Sequence, residues 1–207
     1  MRRNVPGDEE ICPVIWKVWV SLGTMPPPPQ PKIAFADEFG MVATWRSFAF
    51  PVMGQRELPP ASAKQMVKAL AGYAQLMGPR KLAEITLIAH DAPFPGAEAR
   101  AALDAGVPLV SPYYACVSAV FEGTGFRAAL VRGIVTSFQI LSRVKYPQKV
   151  CSRVEEAARW SFTHVEAMGL MTTSADEIAA AAHAVREMAI SRTIFPPDPQ
   201  LSMQQTG

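Results

Sequence analysis

Apolar and polar positions alternate from Lys32 to Phe50 around Phe39-Gly40-Met41, which predicts two strands joined by a tight turn with Gly40 free to take a positive φ. Trp45, Phe48 and Phe50 would load the second strand onto a core, and Pro51 would end it by withholding an amide donor. Next, Met66, Leu70, Tyr73 and Met77 recur at helical spacing between Pro59-Pro60 and Gly78-Pro79, which start and stop a helix. Leu82 to His90 is a short, nearly unbroken apolar run, the pattern of a strand buried on both faces. Pro95 opens a short Ala-rich helix to Ala105, closed by Gly106 and Pro108. Tyr114 to Phe121 reads as a second buried strand, which Glu122-Gly123-Thr124-Gly125 turns into a helix from Phe126 to Arg143 with Leu130, Ile134, Phe138 and Leu141 on one stripe. Lys149 to Ser152 makes a last short strand. Ser152 and Glu155 have capping-box spacing ahead of a helix running through Trp160 to Met168. Ser174 and Glu177 repeat the box ahead of Ile178, Ala182, Val185 and Ala189.

The order β-β-α-β-α-β-α-β-α-α predicts an α/β fold: a mixed sheet of about five strands with an N-terminal antiparallel hairpin, the later strands parallel through right-handed crossovers. Polar positions such as Lys32, Asp37 and Glu38 on the first strand place the helices mainly on one face, with an extra helix at the C-terminus. Five prolines between Pro26 and Pro31, and three between Pro196 and Pro199, mark the edges, because clustered proline favours solvated polyproline II. The division is an extended or disordered segment 1–31, a domain 32–168, a C-terminal helix 169–193 and a disordered tail 194–207. Residues 1–24 read either as an extension of the folded unit or as sequence upstream of a start at Met25.

Composition narrows this picture. The chain has 207 residues, 20 Lys and Arg against 18 Asp and Glu, and 49% hydrophobic residues. It can bury a core, and it lacks the concentrated basic charge that nucleic acid or an anionic membrane requires. No apolar run reaches membrane-spanning length. Glu9 and Glu10 precede the apolar stretch Ile11 to Leu22, and Pro13 and Lys17 break it, which argues against a signal peptide. Cys12, Cys116 and Cys151 are too scattered for a disulfide framework, and a reducing cytoplasm is expected.

Chemistry is thinly signalled. Glu122, Gly123, Gly125, Phe126 and Arg127 lie where a strand end meets a helix start, a place that attracts anions. The third glycine of a dinucleotide fingerprint is replaced by Ala128, and no P-loop lysine follows, so the simpler reading is a tight strand-to-helix turn. His90 and Asp91 end the other central strand, but no Ser, Thr or Cys occurs from Ala89 to Val110, so a capping or turn pair is the simpler reading there. His164-Val165-Glu166 lacks the cysteines of a zinc deaminase, and His183 with Glu187 reads as a solvated pair. Neither metal nor cofactor is expected. Cys116 and Cys151, in strands, read as small buried hydrophobes.

The element order, the Glu-Gly-x-Gly-Phe-Arg turn at 122–127, and the last strand running into Val154-Glu155-Glu156-Ala157-Ala158-Arg159-Trp160 resemble the STAS superfamily, particularly its anti-sigma-factor-antagonist-like branch, over about Lys32 to Met168. The resemblance implies a small βα domain that regulates by docking or, in the related CRAL-TRIO-like branch, one that holds an apolar ligand against the sheet. Signalling members carry a phosphorylatable Asp-Ser-Ser-Gly type motif after the central strand. Here the region reads His90-Asp91-Ala92-Pro93-Phe94-Pro95-Gly96, with no hydroxyl to phosphorylate.

The function expected is therefore non-catalytic regulation or scaffolding by protein docking or self-association, with His90, Asp91, Phe94, Glu122, Gly123, Gly125, Phe126 and Arg127 as the contact candidates. The alternative is a lipid or small apolar ligand-binding domain, motivated by ten methionines and ten phenylalanines that can line a pocket. An enzyme built on His90, Asp91, Glu122 and Arg127 is the third reading.

Overall fold

The computed structural model describes residues 29–121, 145–170 and 173–196. Six strands form one sheet in sequential order: β1 (Lys32–Ala36), β2 (Gly40–Trp45), β3 (Phe48–Met53), β4 (Leu82–Ile88), β5 (Tyr114–Phe121) and β6 (Gln148–Cys151). The first three pair antiparallel and the remaining pairs are parallel. Four described helices accompany them: α1 (Pro60–Met77), α2 (Ala97–Val110), α3 (Val154–Ala167) and α4 (Ala175–Ser191). The mixed α/β sheet with an antiparallel N-terminal hairpin thus matches the sequence reading, whereas the expected helix from Phe126 to Arg143 lies outside the described residues.

The N-terminal pattern resolves into three strands rather than two. Asp37 makes the first turn, its Oδ1 accepting from the amides of Phe39 and Gly40 at 2.9 Å each. Gly40 starts β2 and does not take a positive φ. Glycine is needed there because a Cβ would come within 2.8 Å of the Val52 carbonyl oxygen. The second turn, Arg46-Ser47, has Arg46 at φ 50. Its guanidinium lies 4.6 Å from the Trp45 ring and 3.5 Å from the Glu177 carboxylate of α4, contacts that offset the strain of a left-handed non-glycine residue.

Pro51 does not end β3 but sits inside it, paired with Val42 of β2. The Ala83 amide donates to the Ser47 carbonyl and the Ala89 amide to that of Met53, so by alternation position 51 faces β4. The β3–β4 register lapses at Phe50 and Pro51, which is where the missing amide would have donated.

The described helices cover both faces of the sheet, two and two, rather than mainly one. Val42, Ala49, Met66, Leu70, Ala74, Leu82 and Tyr114 form the core beneath α1 and α2. Phe48, Phe50, Val52, Ile85, Leu87 and Val120 form the other, beneath α3 and α4. Sequential strand order explains the first layer, since right-handed crossovers that always step the same way deposit their helices on the same side. The opposite face of the central strands is as apolar as the first, and the two helices after β6 bury it. α4 belongs to that core through Ile178, Ala182, Val185 and Ala189, and Ile194 and Phe195 beyond it are buried too.

Two helix signals differ in detail. α2 continues through Gly106 and Pro108 to Val110, because Gly106 is buried directly against Val67 of α1. The capping box at Ser174 and Glu177 forms as expected. The one at Ser152 and Glu155 does not: Glu156 reaches back to the Ser152 amide at 3.1 Å and also pairs with Lys149 at 3.0 Å.

Candidate functional site

The parallel strands β3 and β4 end at connections that lead into α1 and α2, the edge where crevices open in α/β sheets. After β4, the Ala89 amide donates to Met53 and the Ala92 amide to the Ala89 carbonyl, closing a turn at His90-Asp91. Ala92 is buried and anchors the loop, so His90, Asp91 and Phe94 are displayed on the outside, Phe94 with 42% of its surface exposed. No hydrogen bond joins His90 to Asp91 in this arrangement. Glu122, Gly123, Gly125, Phe126 and Arg127 lie outside the described residues, so the structure brings together only the His90, Asp91 and Phe94 part of the predicted set.

Beside this loop, an open groove of about 450 Å3 separates the start of α1 from the start of α2. Leu58 and Ala99, both buried, lie at its base, with Pro59, Pro60 and Ala97 along its sides. Glu57 and Glu98 stand on its rim, exposed. Gly96 makes room for Glu57, since a Cβ there would approach the Glu57 Oε1 to 2.8 Å. Sequence reasoning missed this groove because its two walls come from connections some forty residues apart, each showing only an ordinary helix start.

A second polar constellation lies at the amino ends of β4 and β5, under the α1–α2 side of the sheet. Glu84 accepts from Thr86 Oγ1 at 2.7 Å and from the Tyr114 hydroxyl, and the Tyr114 ring packs edge-on against Tyr146 at 5.2 Å. Burial pushes the Glu84 carboxyl up, against the opposing pull of the Tyr114 and Thr86 hydrogen bonds. The same burial, with the Glu84 charge beside them, pushes the Tyr114 and Tyr146 phenols up. Both Glu84 oxygens are occupied by protein donors, so the cluster reads as a satisfied internal network. Its signal in the sequence was a lone glutamate inside an otherwise apolar run.

The remaining candidates settle into structural roles. Cys116 and Cys151 are buried and free, their thiols pushed up by burial to about 12 and about 11. Ser118 and Ser161 meet at 3.3 Å between β5 and α3. His183 pairs with Glu155 across α3 and α4 at 2.9 Å, rather than with Glu187. His164 packs edge-on against Trp160, with ring centroids 4.4 Å apart. Among the described residues, no group of His, Cys, Asp and Glu is placed to hold a metal, and no helix is long and apolar enough to cross a membrane. No family model matches this chain, and neither a curated protein nor a solved structure does.

Proposed function

We propose that this chain is a regulatory or scaffolding module that acts by docking a protein partner at the carboxyl edge of its parallel strands, in the manner of a STAS-like domain without the phospho-acceptor switch. The observation that carries this reading is the open groove between the starts of α1 and α2, flanked by a loop that displays Phe94. An exposed aromatic beside a groove with an apolar base is the arrangement on which partner side chains gain most from desolvation. The loop from Ala89 to Gly96 contains no Ser, Thr or Tyr, so docking here is not interrupted by hydroxyl phosphorylation. An apolar ligand held against the sheet has less to support it. The void beneath α3 and α4, lined by Leu87, Val120 and Phe195, is about 10 Å3, room for about one water.

The test is site-directed photocrosslinking with a benzophenone side chain at position 94 and, as control, at the exposed position 168 just past the end of α3, combined with native mass spectrometry. Docking predicts a discrete crosslinked protein adduct from position 94 and none from position 168. A retained small apolar compound, with no adduct from position 94, would overturn it.

A further inference from the structure

We infer that the partner segment seated in the groove is basic: an extended stretch carrying Lys or Arg beside small apolar side chains. This deepens the docking reading and rests on it. Glu57 and Glu98 are the charged residues that line the groove among the described residues, and no described residue makes an ion pair or hydrogen bond with either side chain. Arg56, the neighbour of Glu57, is held by Glu38 instead. The nearest cations along the two helices, Lys64 and Arg100, do not line the groove. The amino ends of α1 and α2 add roughly half a positive charge each. Two full carboxylate charges exceed that sum, so the described lining of the groove is net negative in a chain whose formal charge is +2. Its base of Leu58 and Ala99 and its Pro59-Pro60 side offer apolar contact, which suits the methylene stem of a Lys or Arg with its head reaching a rim carboxylate.

The experiment pans a random phage-displayed peptide library on the full chain and on the Glu57→Gln, Glu98→Gln double variant, with amide chemical shifts locating the bound peptides. Both glutamates are exposed, so the double variant keeps its fold, and unchanged thermal unfolding checks this. The expected result is enrichment of Lys or Arg among peptides that perturb the amides of Leu58 and Ala99, with about tenfold weaker binding to the double variant. Groove-binding peptides without basic enrichment, or with equal affinity for the double variant, would overturn the inference while leaving docking at this edge intact. Peptides that perturb other surfaces, or no enrichment at all together with no crosslink from position 94, would remove both.

Discussion

The Tyr114 hydroxyl at the start of β5 donates to the carboxyl of Glu84 on β4, tying two parallel strands through side chains thirty residues apart. Thr86 occupies the other carboxyl oxygen, so each oxygen has one side-chain donor. Tyr114→Phe therefore leaves a buried carboxyl oxygen unpaired, at a cost of about 1–3 kcal/mol. Urea denaturation checks this; a midpoint equal to wild type would show that the oxygen finds another partner.

The same carboxyl gives a pH dependence of defined sign. Burial raises the folded-state pKa of Glu84 above its ordinary value of 4.5, so the folded protein binds this proton more tightly than the unfolded chain does. The stability it contributes is complete below about pH 4.5 and is lost as pH rises through the raised value. Glu155 and Glu156, whose pKa values are lowered chiefly by the His183 and Lys149 hydrogen bonds, act with opposite sign and below that window. Unfolding free energies of wild type and Glu84→Gln, measured from pH 4 to pH 8, should differ by a term that declines for wild type as pH rises. A wild type that gains stability relative to Glu84→Gln as pH rises would contradict the assignment.

Capping should separate two serines that the sequence presents alike. Ser174 accepts from the Glu177 amide in a complete box, and Ser174→Ala should cost about 1 kcal/mol. Ser152 is not the N-cap of α3. Glu156 binds its backbone amide, which alanine retains, and its hydroxyl only at 3.4 Å. Ser152→Ala should therefore be nearly neutral in thermal unfolding, and equal losses at both sites would refute the distinction.

These contrasts show what the chain discloses locally. The buried strands, α1 and the Ser174 box follow from periodicity and caps within one segment, and each stands where the pattern put it. The Arg46-Ser47 turn carries no glycine, asparagine or proline, and its left-handed residue is held by Trp45 beside it and by Glu177, far along the chain. Pro51 and Gly106 mislead for the same reason: tertiary surroundings absorb a missing amide in one case and require a missing side chain in the other. The position of the helices depends on what covers the second apolar face of the sheet, which strand patterns do not specify. Of the candidate site, the His90 to Gly96 loop could be read directly. The groove beside it needed Glu57 and Glu98 to be brought together by the fold.

Thiol chemistry offers a check on the α3–α4 core. Burial raises the thiols of Cys116 and Cys151 to about 12 and about 11, so at pH 8 both remain protonated and enclosed. In a Cys12→Ser background, a disulfide exchange reagent should label neither thiol in the folded protein and both in urea. Fast labelling of one thiol without urea would place it at an accessible surface.

Two glycines should respond in opposite directions to the same change. At Gly106 an added Cβ would lie 2.5 and 2.6 Å from the two Val67 methyl groups, where α2 meets α1. Alanine gains about 1 kcal/mol of helix propensity there, but forcing the helices apart costs about 1–3 kcal/mol, so Gly106→Ala should destabilise. Adding Val67→Ala makes room and should recover most of the loss, a coupling that a double-mutant cycle measures. Gly72 lies exposed on α1 with nothing within 4 Å of its would-be Cβ. Gly72→Ala should stabilise by about 0.5–1 kcal/mol, since only the propensity gain remains. If Gly106→Ala stabilised as well, α1 and α2 would have to sit farther apart than this packing places them.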